Sequence, residues 1–325
     1  MRRFTIGALV SAIGILAALS IPARAQAPAK AASSTAPAKP YTTPKTPWGD
    51  PDISGTWSSD DLRNIPVQRP AELGSRSQLS DDEYAKRLAD ADQARTRELN
   101  RVGAFRNDVG TRTFRQTSLV VEPADGRLPI TADAQKEVDR RQQQRSNPPN
   151  SWTDRSLYDR CITRGFPSSG MPTIYGNSSQ IIQGPGYVAI VYEMIHDTRI
   201  IPLDGRPHLG TSSQFDFGDS RGRWEGETLV VETTNFRDRS VYMNATPDRL
   251  TITERLTRVS PRQVRWSVTM DDPTTWTAPW TFSLPLTLDD SEPLQLYECH
   301  EGNYGLKNIL SAARAEERHA AEGSK

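Results

Sequence analysis

From Ser178 onward the chain alternates apolar and polar residues with the period of two that marks a half-buried strand. Strands are predicted at Ser179–Gln183, Tyr187–Ile195, Arg199–Leu203, Thr228–Thr234, Arg249–Thr257, Gln263–Met270, Thr281–Leu288 and Leu294–Cys299. Turn chemistry separates them: Gly184-Pro185-Gly186, Asp204-Gly205-Arg206-Pro207, Glu225-Gly226-Glu227, Ser260-Pro261 and Asp271-Asp272-Pro273. Short strands in succession with few helices between them predict a mainly β fold. An antiparallel meander of this length curls and closes into a barrel or curled sheet, which removes its unpaired edges.

The period lengthens to that of a helix in three places. Ser80 with Glu83 forms a capping box, and Asp81 and Asp82 suit the positive end of the helix dipole, so a helix is predicted from Ser80 to Val102. A second runs from Thr131 to about Arg145 and is stopped by Asn147-Pro148-Pro149. Together they form a charged insertion at about 80–145. A third, about 305–321, carries an apolar stripe of Leu306, Ile309, Leu310 and Ala313. The first two are read as peripheral to the sheet, and the third as either plugging the barrel or flanking it among the peripheral helices.

The N-terminus changes the setting. Arg2 and Arg3, an apolar run from Ile6 to Ile21 and Ala23-Arg24-Ala25 are the parts of a secretory signal peptide, predicted over 1–25 with cleavage after Ala25. An uncleaved anchor is the alternative; cleavage leaves no stable membrane span. Residues 26–47, rich in Ala, Pro, Thr, Ser and Lys, bury too little to offset their ordering entropy and are read as a flexible linker. A single β-rich domain is expected over 48–325, exported to the periplasm or secreted. In an oxidising compartment Cys161 and Cys299 are expected to pair. The chain-entropy model credits so long a loop with roughly 4–5 kcal/mol. A cysteine nucleophile or a metal pair is the alternative.

Composition excludes more than it identifies. Lys plus Arg and Asp plus Glu each total 40, which gives no electrostatic case for binding nucleic acid. With 35% hydrophobic residues, a polytopic membrane protein is excluded. There is no G-x-S-x-G elbow, Walker loop, complete Rossmann fingerprint or C-x-x-C pair. No cofactor is expected; His196, His208 and His300 with a carboxylate would be the donors of a zinc site, but they lack ligand spacing, so no metal ligand is assigned and metal binding is left open.

Candidate chemistry concentrates between Glu193 and Glu225. Glu193 ends an apolar run and, by alternation, shares a face with Ala189, Val191 and Ile195. An inward carboxylate there is either a general acid or base with a raised pKa or half of an internal ion pair. His196 and His208 sit where strands join, at a predicted barrel rim; exposed turn histidines are the plainer reading. Arg221 and Arg223 flank Trp224 and are suited to clamping a carboxylate or phosphate, or to a salt-bridged strand face. His300 follows Cys299, where a crosslink would hold it rigid.

The leading expectation is a small, partly apolar organic ligand inside the barrel. Tyr187, Trp224, Trp266, Trp276 and Trp280 would form its apolar wall, and Glu193, Arg199, Arg206 and His208 its polar end. An acid–base enzyme in the same cavity is the alternative, a hydrolase, lyase or isomerase. Glu193 or His300 would then be the base, His196 or His208 the acid, and Arg206 the electrostatic stabiliser. A structural protein of the cell envelope would need no cavity at all. Oligomeric state is open.

Three segments carry a resemblance: Arg199 to His208 (RIIPLDGRPH), Gly218 to Val231 (GDSRGRWEGETLVV) and Cys299 to Tyr304 (CHEGNY). With Asp52–Trp57 they resemble a family of exported bacterial proteins of unknown function, over Arg160 to Leu310. The resemblance implies export and a compact β-rich domain and carries no particular activity. Gly55-x-Trp57 resembles the opening of lipocalin-type barrels, an analogy of fold that makes the expected barrel lipocalin-like.

Overall fold

The alternation that predicts strands also tells which side chains enter the barrel. In Thr251–Ser260 residues Ile252, Glu254 and Leu256 are buried while their neighbours are less so; in Gln263–Asp271 the buried set is Val264, Trp266, Val268 and Met270. The computed structural model describes residues 41–325 except 63, 103–112, 174–175, 238–244, 291–292, 302 and 324–325. The predicted signal peptide and residues 26–40 of the predicted linker lie outside the described residues.

Ten strands and three α-helices make up the described fold: β1 Gly55–Ser58, α1 Asp81–Val102, β2 Val120–Glu122, α2 Ala132–Ser146, β3 Ser178–Gly184, β4 Tyr187–Tyr192, β5 Thr198–Pro202, β6 Asp219–Glu225, β7 Thr228–Thr234, β8 Thr251–Ser260, β9 Gln263–Asp271, β10 Trp280–Leu288 and α3 Gly305–Gly323. The sheet runs β5-β4-β3-β1-β10-β9-β8-β7-β6, with short β2 paired to β10. All of these pairings are antiparallel. Two meanders, β3 to β5 and β6 to β10, are therefore joined by β1, which pairs Ser58 with Ser178 on one side and Thr287 on the other.

The sheet curls into a nearly closed barrel whose outermost strands, β5 and β6, meet without ladder hydrogen bonds. Gly222 permits the approach: a Cβ there would lie 2.6 Å from the side chain of Leu203 and 2.8 Å from that of Ile201. Aromatic residues fill much of the interior, including Trp57, Trp266, Trp276, Trp280, Phe166, Phe236 and Phe282.

Several boundaries differ from the predicted ones. Asp219–Glu225 joins the sheet as β6, across a hairpin turned by Gly226 at φ +61°. β4 stops at Tyr192, because the chain turns through Ile195 and His196, both in left-handed conformation. Leu294–Cys299 forms no strand; its residues are exposed or half-buried, Leu296 among the exposed ones, and the segment is held by a crosslink. Within the predicted linker, Thr43 is buried, with its Oγ1 donating to Glu227 at 3.0 Å.

The helices sit outside the barrel. α1 is held by Tyr84, whose hydroxyl donates to the Thr113 carbonyl, and by Arg87, which donates to the carbonyls of Phe114 and Gln116. In α3 only Ala313 of the predicted stripe is buried, and Arg314 donates to the carbonyls of Pro149 and Asn150. Among the described residues no helix is long and apolar enough to cross a membrane.

Candidate functional site

Strand phase turns two ionised side chains inward. Arg199 of β5 shares its face with Ile201, and Glu254 of β8 shares its face with Ile252 and Leu256. Their side chains are 2% and 1% exposed, and they meet as a two-point pair: Nη2 to Oε2 at 2.5 Å and Nη1 to Oε1 at 3.2 Å. Arg199 also donates to the Tyr192 hydroxyl at 3.2 Å, to Ser220 at 3.0 Å and to Thr233 at 3.2 Å. Its guanidinium lies 3.9 Å from the centre of the Phe166 ring, within cation–π range. Trp266 Nε1 donates to Glu254 Oε1 at 2.9 Å.

One side chain thus bridges the seam. Arg199 starts on β5 and reaches β6, β7 and β8, where the backbone provides no ladder between β5 and β6. Burial works against its charge, but Glu254 and Tyr192 more than offset it, so its pKa is raised above the ordinary value. Burial pushes the Tyr192 hydroxyl up to about 12, against the lowering influence of Arg199.

Beside this pair lies a partly open cleft of about 330 Å³, counting the space open to solvent. Ile181, Ile190, Leu256, Leu286 and Trp266 form its apolar wall; Asn177, Ser179, Tyr192 and Glu254 are its polar groups. Gly170 borders it because a side chain there would collide with the Trp266 ring, 2.6 Å from an added Cβ. Much of that space is open to solvent: the enclosed depth has room for about one water molecule, so a larger ligand would sit mainly in the open mouth of the cleft.

Of the residues singled out from sequence, Arg199 and Trp266 come together here. Tyr192 and Glu254 were missed, although Glu254 had a signal: a lone acid in the inward phase of an otherwise alternating strand. Glu193 is buried, but on different grounds from those expected. The inward face of β4 is Val188, Ile190 and Tyr192, not Ala189 and Val191. Glu193 is buried where the chain leaves the strand, and its Oε2 accepts from the Ser178 backbone N–H at 3.2 Å. It does not line the cleft.

The remaining candidates occupy other surroundings. His196 Nε2 accepts from the Tyr297 backbone N–H at 3.1 Å. Beside it, burial pushes Asp197 up to about 6, with Thr163 donating to it at 2.9 Å. His208 sits between carboxylates, Nδ1 3.0 Å from Asp219 and Nε2 3.3 Å from Glu232, and Arg221 donates to Asp219 at 2.5 Å. Arg206 and Arg223 are exposed and paired with Asp204 and Glu225. Tyr187 and His300 are exposed, and Trp224 is half-buried at the barrel wall. Trp276 and Trp280 pack edge to face, 5.5 Å between ring centres, inside the core.

Cys161 and Cys299 form a disulfide with their Cα atoms 5.7 Å apart, tying the segment after β10 to the segment before β3. Among the described residues no cluster of histidine, cysteine or carboxylate side chains is arranged to hold a metal. Comparison with models of protein families, with curated proteins and with solved structures gives no significant match.

Proposed function

We propose that this is an exported protein that binds a small, partly apolar organic molecule in the cleft beside Arg199 and Glu254. The observation that carries this reading is the cleft's composition. An aliphatic and indole wall faces a few convergent polar groups, the usual make-up of a small-molecule site. The cleft's lining includes one carboxylate and no histidine, and that carboxylate already accepts three hydrogen bonds, two from Arg199 and one from Trp266. Such a group holds a ligand's surroundings in place better than it moves a proton, which favours binding over acid–base turnover.

The disulfide fits an oxidising compartment, and the resemblance to exported bacterial proteins points the same way. Its first two motifs supply both sides of the seam, β5 with the loop after it and the β6–β7 hairpin; the third supplies one end of the crosslink. Likeness to lipocalin-type barrels adds an analogy of architecture and no ligand.

The test is a thermal-shift screen of small neutral and charged organic compounds against the oxidised protein and Ser179→Leu, which fills the cleft. Compounds that stabilise the parent and not the variant support the reading. Equal responses in both proteins would place binding elsewhere.

A further inference from the structure

The register of the sheet places Ser179 of β3 directly opposite Tyr192 of β4, and Ile181 directly opposite Ile190. Side chains paired in this way on one face are neighbours, about 4.5–5.5 Å apart at Cβ. All four line the cleft, so two hydroxyl-bearing and two aliphatic side chains face it from adjacent positions of one sheet face.

The hydrogen bonds leave these hydroxyls with capacity to spare. The Tyr192 oxygen accepts from Arg199 at 3.2 Å, but its proton has no acceptor among the described residues. The Ser179 hydroxyl has no partner among the described residues either. Burial raises the Tyr192 pKa to about 12, so its hydroxyl stays a donor throughout the neutral range, and the Arg199 charge on its oxygen strengthens that donor. The other polar groups of the wall are occupied. Asn177 donates to Asp60 and to the Thr173 carbonyl and accepts from Thr173, while Glu254 is held by Arg199 and Trp266.

Resting on the binding function proposed above, we infer that the ligand is an uncharged carbonyl compound whose oxygen accepts from the Tyr192 hydroxyl, with Ser179 as the second donor. A carbonyl oxygen has two lone pairs, which matches two donors. A carboxylate ligand would face the Glu254 carboxylate across a mainly apolar wall, and an ammonium would compete with Arg199 for it. Both are disfavoured by charge, whereas a ketone, ester or amide leaves the internal pair intact. Its apolar remainder packs on Ile181, Ile190 and Leu256.

The experiment titrates four six-membered-ring probes by Trp fluorescence: cyclohexanone, methylenecyclohexane, cyclohexanecarboxylate and cyclohexylammonium. It is repeated in Tyr192→Phe and in Ser179→Ala, each checked for a parent-like melting transition. Cyclohexanone should bind about five- to tenfold more tightly than methylenecyclohexane. Tyr192→Phe should remove that advantage while leaving the hydrocarbon's affinity unchanged, and Ser179→Ala should reduce it by a smaller factor. Should Tyr192→Phe fail to fold, the Ser179→Ala ratio decides alone. Equal affinity for ketone and hydrocarbon in the parent, tighter binding of either charged probe, or an advantage that survives in the variants would overturn the carbonyl preference and leave the cleft a binding site. If no probe is bound, the binding function fails and the preference with it.

Discussion

Replacing Glu254 with Gln preserves shape and removes one charge from a site where the side chain is 1% exposed. Arg199, 2% exposed, then keeps its charge without a counter-ion. Its remaining partners are neutral: the hydroxyls of Tyr192, Ser220 and Thr233 and the face of Phe166. Breaking one side of a buried pair costs about 3–5 kcal/mol, chiefly through the stranded charge. For a folded unit of this size that corresponds to a fall of about 5–9 °C in Tm. The assay is urea unfolding followed by Trp fluorescence, with the disulfide oxidised. The companion is Arg199→Met with Glu254→Met, which removes both charges. Its cost should fall well below the sum of the two single costs, since no charge is left stranded. A loss under about 1 kcal/mol in Glu254→Gln, or strict additivity in the double variant, would refute the claim that this pair is a coupled, desolvated unit closing the seam.

Asp197 gives a pH signature. Its folded pKa, raised to about 6 by burial, exceeds its ordinary value of 3.8, so between those values the folded state binds more protons than the unfolded. Stability from this group is present below about pH 4 and lost as pH rises through about 6. Solvent exposure of the carboxyl limits the effect to about 1 kcal/mol. Asp197→Asn should stabilise the protein at pH 7 by that amount and flatten the profile between pH 4 and 6, as measured by urea midpoints. Gly222→Ala places a methyl against Ile201 and Leu203 and should cost about 1–3 kcal/mol. Gly210→Ala, with only Ser212 at 4.0 Å, should leave the urea midpoint unchanged. Reducing the Cys161–Cys299 bond, or replacing both cysteines with serine, should cost about 2–5 kcal/mol, read as a drop in Tm that reductant reproduces only in the parent.

Alternation made most of the barrel legible, because one-sided burial imposes a period of two on any strand that lines a core. Thr228–Thr234 was predicted residue for residue. Leu294–Cys299 was misread because Leu294 and Leu296 alternate with polar neighbours over only a few residues, and so short an alternation does not require a partner strand. The pairing order was not legible. No local pattern shows that the four-residue β1 joins β3 to β10, since that contact spans more than a hundred residues of chain. The site was half legible for the same reason. Arg199 stood out in an apolar strand, but its partner on β8 is defined only once the seam closes. Glu193 drew notice as the acid in the apolar run, yet alternation was assigned to the wrong face: β4 turns Val188, Ile190 and Tyr192 inward, and Glu193 is buried only where the chain leaves the strand.

The claim that the cleft holds a ligand rests most directly on Trp266, whose ring forms its wall and whose Nε1 lies 2.9 Å from Glu254. The indole N–H signal of Trp266 in a ¹H–¹⁵N NMR spectrum, followed during titration with cyclohexanone, reports on both. A saturable shift of that signal in the parent, absent in Ser179→Leu, is the predicted result. A Trp266 signal that stays fixed while others move, or one that responds alike in parent and variant, would contradict the assignment of this cleft as the binding site.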